Sequence, residues 1–149
     1  MTRLEYRLHD SSRSFPLLFI YDDIDSEEIS NRLVCDWFVK EDRVFEKVAT
    51  AVSPTECILF VKEAEEEEVI SRERLTRPVW EGLRLEVREY VEGAVYYRVV
   101  EILHFDCSAD LRLYLQCDCF YLQEREWKKL SAEIDENRRV FVLYAQPTQ

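Results

Sequence analysis

Apolar and polar residues alternate with a period of two over most of this chain, the pattern of strands that present one face to a core. Phe15 to Asp22 reads as a buried strand. Asp25-Ser26-Glu27-Glu28 follows as a helix start, with Asp25 accepting from the Glu28 amide and Glu28 reaching back as in a capping box. Ile29 and Leu33, four apart, share a face of that short helix, which ends near Val34. Cys35, Trp37 and Val39 then alternate with Asp36, Phe38 and Lys40, and Glu41-Asp42 turns the chain into Val44 to Val52. Ser53-Pro54 stops that strand, and Glu56 to Lys62 forms the next.

The acidic run Glu63 to Glu68 leads into a long loop or second helix reaching Trp80. Leu83 to Leu103 reads as a hairpin turning at Glu92-Gly93, where glycine accepts positive φ, and returning from Val95. After a polar break at Asp106 to Asp110, Leu111 to Leu122 is the most regular strand by pattern. Its one face carries Leu111, Leu113, Leu115, Cys117, Cys119 and Tyr121, and as an exposed edge it offers a route to a homodimer. Glu124 to Asn137 fits a helix through Trp127, Leu130 and Ile134, or a strand through Leu130, Ala132 and Ile134. The missing N-cap favours the strand, turning at Asp135-Glu136-Asn137 into Val140 to Ala145.

These elements predict an α+β fold in a single domain, residues 1–149. Its sheet is expected to be mainly antiparallel, about seven to nine strands with one to three short helices, because the connections look too short for crossovers. No internal repeat stands out by inspection.

Composition changes the picture mainly by exclusion. The chain has two glycines, Gly82 and Gly93, too few and too far apart for a phosphate-cradling loop. It has two histidines, His9 and His104, so the usual acid–base repertoire near neutral pH is thin. The net charge of −11 repels phosphate backbones and anionic membranes, which argues against direct nucleic-acid or membrane binding and for a basic protein partner. The start Met1-Thr-Arg-Leu-Glu-Tyr-Arg lacks the apolar stretch of a secretory signal, so a cytoplasmic location is expected. The odd count of five cysteines agrees with free thiols.

Candidate chemistry is sparse. His104, Cys107, Cys117 and Cys119 could supply one imidazole and three thiolates to a tetrahedral zinc, though the plainer reading makes the cysteines small core residues. A nucleophilic cysteine would need a cation or helix N-terminus beside it, and the surroundings are rich in carboxylates instead. Asp22-Asp23 reads more simply as a solvated strand end than as a catalytic pair, and His9-Asp10 with His104-Phe105-Asp106 could hold a divalent ion only if the fold brought them together, which nothing in the sequence indicates. No cofactor is expected.

The strongest electrostatic feature is the run Glu63, Glu65, Glu66, Glu67 and Glu68, interrupted by Ala64. Such a run keeps a protein soluble, or forms an acidic prong with an aromatic anchor such as Trp80 beside it. The expected function is therefore a non-catalytic acidic interaction protein, an inhibitor, immunity protein or regulator docking on a basic face. The alternatives are a small zinc-binding protein, and a small-molecule-binding enzyme or sensor with a deep pocket and one carboxylate of raised pKa.

Overall fold

A computed structural model describes residues 3–65 and 82–148. The first stretch supplies β1 (Arg3–Leu8), β2 (Leu17–Tyr21), α1 (Ser26–Leu33), β3 (Trp37–Lys40), β4 (Arg43–Val52) and β5 (Glu56–Glu63). The second supplies β6 (Leu83–Glu89), β7 (Val99–Phe105), α2 (Ser108–Gln116), β8 (Cys119–Leu122), β9 (Arg125–Asp135) and β10 (Val140–Pro147). The ten strands form one sheet in the order β2-β1-β5-β4-β3-β9-β10-β6-β7, and β8 pairs with β9 off that path.

The two stretches are copies of one unit, ββαβββ. In each, the first two strands pair antiparallel, the last three form an antiparallel meander, and the first strand lies parallel to the last. Even the irregularities match: β4 bulges at Val48 and β9 at Leu130, each between the same paired positions. Strand register makes Leu4 the counterpart of Leu85, Phe45 of Trp127, Thr50 of Ala132 and Leu59 of Leu143.

Side chains repeat as well. Arg3-Leu4-Glu5-Tyr6-Arg7 returns as Arg84-Leu85-Glu86-Val87-Arg88, and Cys35-Asp36 as Cys117-Asp118. Arg7 Nε donates to Glu5 at 2.7 Å and its Nη1 to the Phe15 carbonyl; Arg88 does the same to Glu86 at 2.7 Å and to the Tyr97 carbonyl. Lys47 Nζ donates to the Leu33 carbonyl at 2.9 Å, capping α1, and Lys129 Nζ donates to the Leu115 carbonyl of α2 at 2.8 Å. An internal repeat is therefore present where inspection of the chain found none. The identities are too scattered, and the turn lengths too unequal, to align by eye.

Several sequence expectations need correction. The sheet is mixed, with parallel pairs β1/β5, β6/β10 and β3/β9. No short crossover was required, because each unit's whole interior connects its first strand to its last. The described residues form ten strands, above the expected seven to nine.

Leu111 to Leu122 is not a strand: its first part is α2 and only Cys119–Leu122 is β8. The helical spacing of Leu111 and Leu115, both fully buried, prevailed over the period-two pattern, and Leu113 is left 66% exposed. Cys107 at the N-cap makes no side-chain capping bond, so the usual start signal was missing. The chain does turn at Glu92-Gly93, where Ala94 N donates to the Val91 carbonyl at 3.0 Å and Gly93 takes φ +80°, but the returning strand begins at Val99 instead of Val95. β2 is the half-exposed outermost strand rather than a buried one.

Other elements agree. Asp25 caps α1, although its carboxylate accepts from the Glu27 amide at 3.2 Å instead of Glu28. The Glu41-Asp42 hairpin and the strand form of Glu124 to Asn137 are both present.

The main core lies on one face of the sheet, and a small cluster of Val39, Val44 and Ala64 lies on the other. Leu4, Tyr6, Phe38, Phe45, Leu59 and Ile29 of the first unit join Leu85, Trp127, Phe141, Leu143, Leu111 and Leu115 of the second. Tyr6 stacks on Phe38 with ring centroids 4.1 Å apart. Burying each of these large apolar side chains contributes about 1.5–3 kcal/mol.

Candidate interaction surface

The acidic run begins at the end of β5, where Glu63 stands opposite Phe45. Glu63 is exposed and pairs with exposed Arg43 at 3.1 Å, a contact that contributes at most about 1 kcal/mol. Glu65 is exposed, while Ala64 is buried against Val39 and Val44. Glu66, Glu67, Glu68 and Trp80, with the segment proposed as loop or helix, lie outside the described residues.

The proposed zinc ligands fall on three elements. His104 is exposed on β7 opposite Arg84, Cys107 precedes α2, Cys117 follows it and Cys119 opens β8. With α2 between them, Cys107 and Cys117 stand about 15 Å apart along the helix axis, too far to share one tetrahedral ion. Among the described residues no three His, Cys, Asp or Glu side chains are grouped to hold a metal. Burial pushes the Cys35 thiol well above its ordinary range, and raises Cys117 as well. Asp22 and Asp23 are exposed, and Asp23 turns the chain at φ +55°. A cavity of about 10 Å³ lies among Tyr6, Arg32, Cys35, Lys47 and Leu59, with room for about one water.

The two units meet along β3 and β9, which run parallel with Trp37, Phe38 and Val39 opposite Glu133, Ile134 and Asp135. Asp36 N donates to the Ala132 carbonyl at 2.7 Å, and its carboxylate accepts from Ala132 N at 2.8 Å. The β9–β10 turn locks this seam. Glu136 accepts from Tyr21 Oη at 2.6 Å, from Arg32 Nη2 at 3.0 Å and from Lys40 Nζ. Burial alone would raise the Glu136 pKa, but Arg32, Lys40 and Tyr21 outweigh it and hold the carboxyl below its usual value. Asn137 exchanges two hydrogen bonds with the backbone of Glu41. Across the helices, Arg112 pairs with Glu27 at 2.7 Å, and Asn31 donates to Ser108.

A second buried polar group lies on the face away from the helices. Arg138 donates to both Glu86 oxygens at 3.0 Å and to Asp135 at 2.8 Å. Beside them Glu133 accepts from Tyr144 Oη at 3.1 Å. Burial, with Asp135 nearby, pushes the Glu133 carboxyl up to about 8, so it stays protonated at neutral pH. This is a carboxylate of raised pKa, buried beside Asp135 and Tyr144.

The symmetry fails at one place. Along β9 both halves of the edge facing away from β10 are occupied, by β8 over 125–128 and by β3 over 133–135. On β4 the corresponding edge is paired only over Arg43–Glu46, by β3. Beyond Lys47, whose amide bonds the Asp36 carbonyl, it carries no strand among the described residues. Residues 48–52 are all exposed, Val48 at 42% and Val52 at 68%. The counterparts of Thr50 and Val52, Ala132 and Ile134, are fully buried. Sequence reasoning identified β4 as a strand but had no means to see that half of its edge is open.

Comparison with protein-family models, curated proteins and solved structures finds no match to this chain. No helix among the described residues is long and apolar enough to cross a membrane.

Proposed function

We propose that this chain is a non-catalytic acidic interaction protein, an inhibitor, immunity protein or regulator that occupies a basic face of another protein. The observation that carries this reading is the net charge of −11, continued by the acidic run from exposed Glu63 and Glu65. Such a field steers a cationic partner, raises its association rate and loses its effect as salt rises. The polar groups buried in the sheet support a scaffold reading, since Glu86, Arg88, Asp135 and Arg138 bind one another.

Affinity capture from a native lysate at low salt, with elution by rising salt, tests the proposal. The expected result is a basic protein that elutes as salt increases and is captured more weakly by a variant with Glu65 to Glu68 replaced by glutamine. Equal capture by the two forms, or elution insensitive to salt, would overturn it.

A further inference from the structure

We infer that the open edge of β4, residues 49–52, is a docking slot for an extended strand supplied by the basic partner. The argument rests on the repeat. The same stretch of the second unit receives β3 as a parallel strand over 133–135, entered by a main-chain bond from Asp36 N to the Ala132 carbonyl, the Asp36 carboxylate on Ala132 N, and apolar contact by Phe38. Its counterpart Thr50 stands at the same register, so its N–H and C=O point to the open side. β4 thus presents the backbone that the fold itself already uses to bind a strand, with no strand among the described residues seated on it.

The stretch also lacks the usual protection of an open edge. Ala49-Thr50-Ala51-Val52 contains no charge and no proline, and its valine is exposed. The outermost strands β2 and β7 also lack a neighbour among the described residues, but they are counterparts of one another, so neither has a filled example to match. A second copy of this chain is disfavoured as occupant because two bodies of charge −11 repel. A segment with apolar residues between lysines or arginines suits both the edge and the field. Main-chain pairing supplies affinity, and charge selects the partner. The identity of the partner as basic rests on the function proposed above; the slot rests on the repeat alone.

The test uses the full chain and a labelled synthetic peptide, the β3 sequence Asp-Trp-Phe-Val-Lys between pairs of lysines, followed by fluorescence anisotropy. The peptide is expected to bind and to slow amide exchange at Thr50 and Val52. Binding is expected to weaken at least tenfold with Thr50→Pro, which removes an outward donor and leaves the β5 ladder intact. Val52→Lys, which keeps the backbone, is expected to weaken it similarly and guards against misfolding of the proline variant. A glutamate-flanked peptide is expected to bind at least tenfold more weakly.

Absence of binding, or equal binding by both variants, overturns the slot. Protection of Thr50 in the free chain, or a self-association abolished by Thr50→Pro, would show that the chain fills its own edge and overturns it too. The Glu65 to Glu68 glutamine variant separates the two proposals. Unchanged capture of the basic partner with intact peptide binding removes the acidic-run reading and leaves the slot standing.

Discussion

The two junctions that the repeat creates make the most instructive comparison in this molecule. At the closed one, the β9–β10 turn is two residues longer than the β4–β5 turn and drives Glu136 into a nest of Tyr21, Arg32 and Lys40. At the open one, the counterparts of that nest are Leu103, Tyr114 and Leu122, and the counterpart of Glu136 is exposed Pro54. A buried carboxylate needs cations and donors around it, and proline offers neither a charge nor an N–H. One unit therefore holds its neighbour by a desolvated ion cluster, while the other leaves a strand edge that no described strand covers. The lesson is that near-identical backbones part company through a few polar substitutions and one longer turn.

The largest effect is expected from Glu136→Ala, which strands the buried Arg32 guanidinium without its interunit partner. A loss of about 3–5 kcal/mol in urea denaturation is expected. Pro54→Ala at the matching turn is expected to change stability by less than about 0.5 kcal/mol. If the two variants proved equally stable, the contrast between the junctions would be meaningless.

Glu133 sharpens the contrast through pH. Its pKa is near 8 when folded, against the ordinary 4.5, so the unfolded chain releases this proton first. Its contribution to stability is complete below about pH 4.5 and is lost as pH rises toward about 8. The slope reaches at most about 1.4 kcal/mol per pH unit. Glu133→Gln should flatten that part of the stability profile, and an unaltered slope would remove Glu133 as its source.

Smaller and symmetric effects are expected from the helix-capping lysines. Lys47→Met and Lys129→Met should each cost about 1 kcal/mol, since each removes a charged bond to a helix C-terminal carbonyl. A difference above about 1 kcal/mol between them would show that the two units are not energetic equivalents here. Thr50→Pro is expected to change stability by no more than about 1 kcal/mol, because the donor it removes faces the open edge.

Much of this was legible along the chain, and for identifiable reasons. Asp25 announced α1 because a carboxylate caps a helix locally, and Glu41-Asp42 announced the β3–β4 hairpin because a turn is a matter of adjacent residues. α2 escaped because leucines at 111, 113 and 115 satisfy two periods at once, and no capping side chain resolved the tie. The acidic run was plain to see, but its geometry beyond Glu65 lies outside the described residues. The open β4 edge had no local signal at all, since an edge is defined by the strand that is not beside it.

The amino-acid order alone determined the strand-rich character, the acidity and most element positions, because propensity, capping and charge act between near neighbours. Only the tertiary structure decided that the first and last strands of each unit run parallel, that the chain is one motif used twice, and that Glu136 closes one junction while its counterpart Pro54 is exposed. Those outcomes depend on residues far apart in sequence meeting in space. Pairing across such distances is selected by packing of the whole sheet, and no short window of residues contains it.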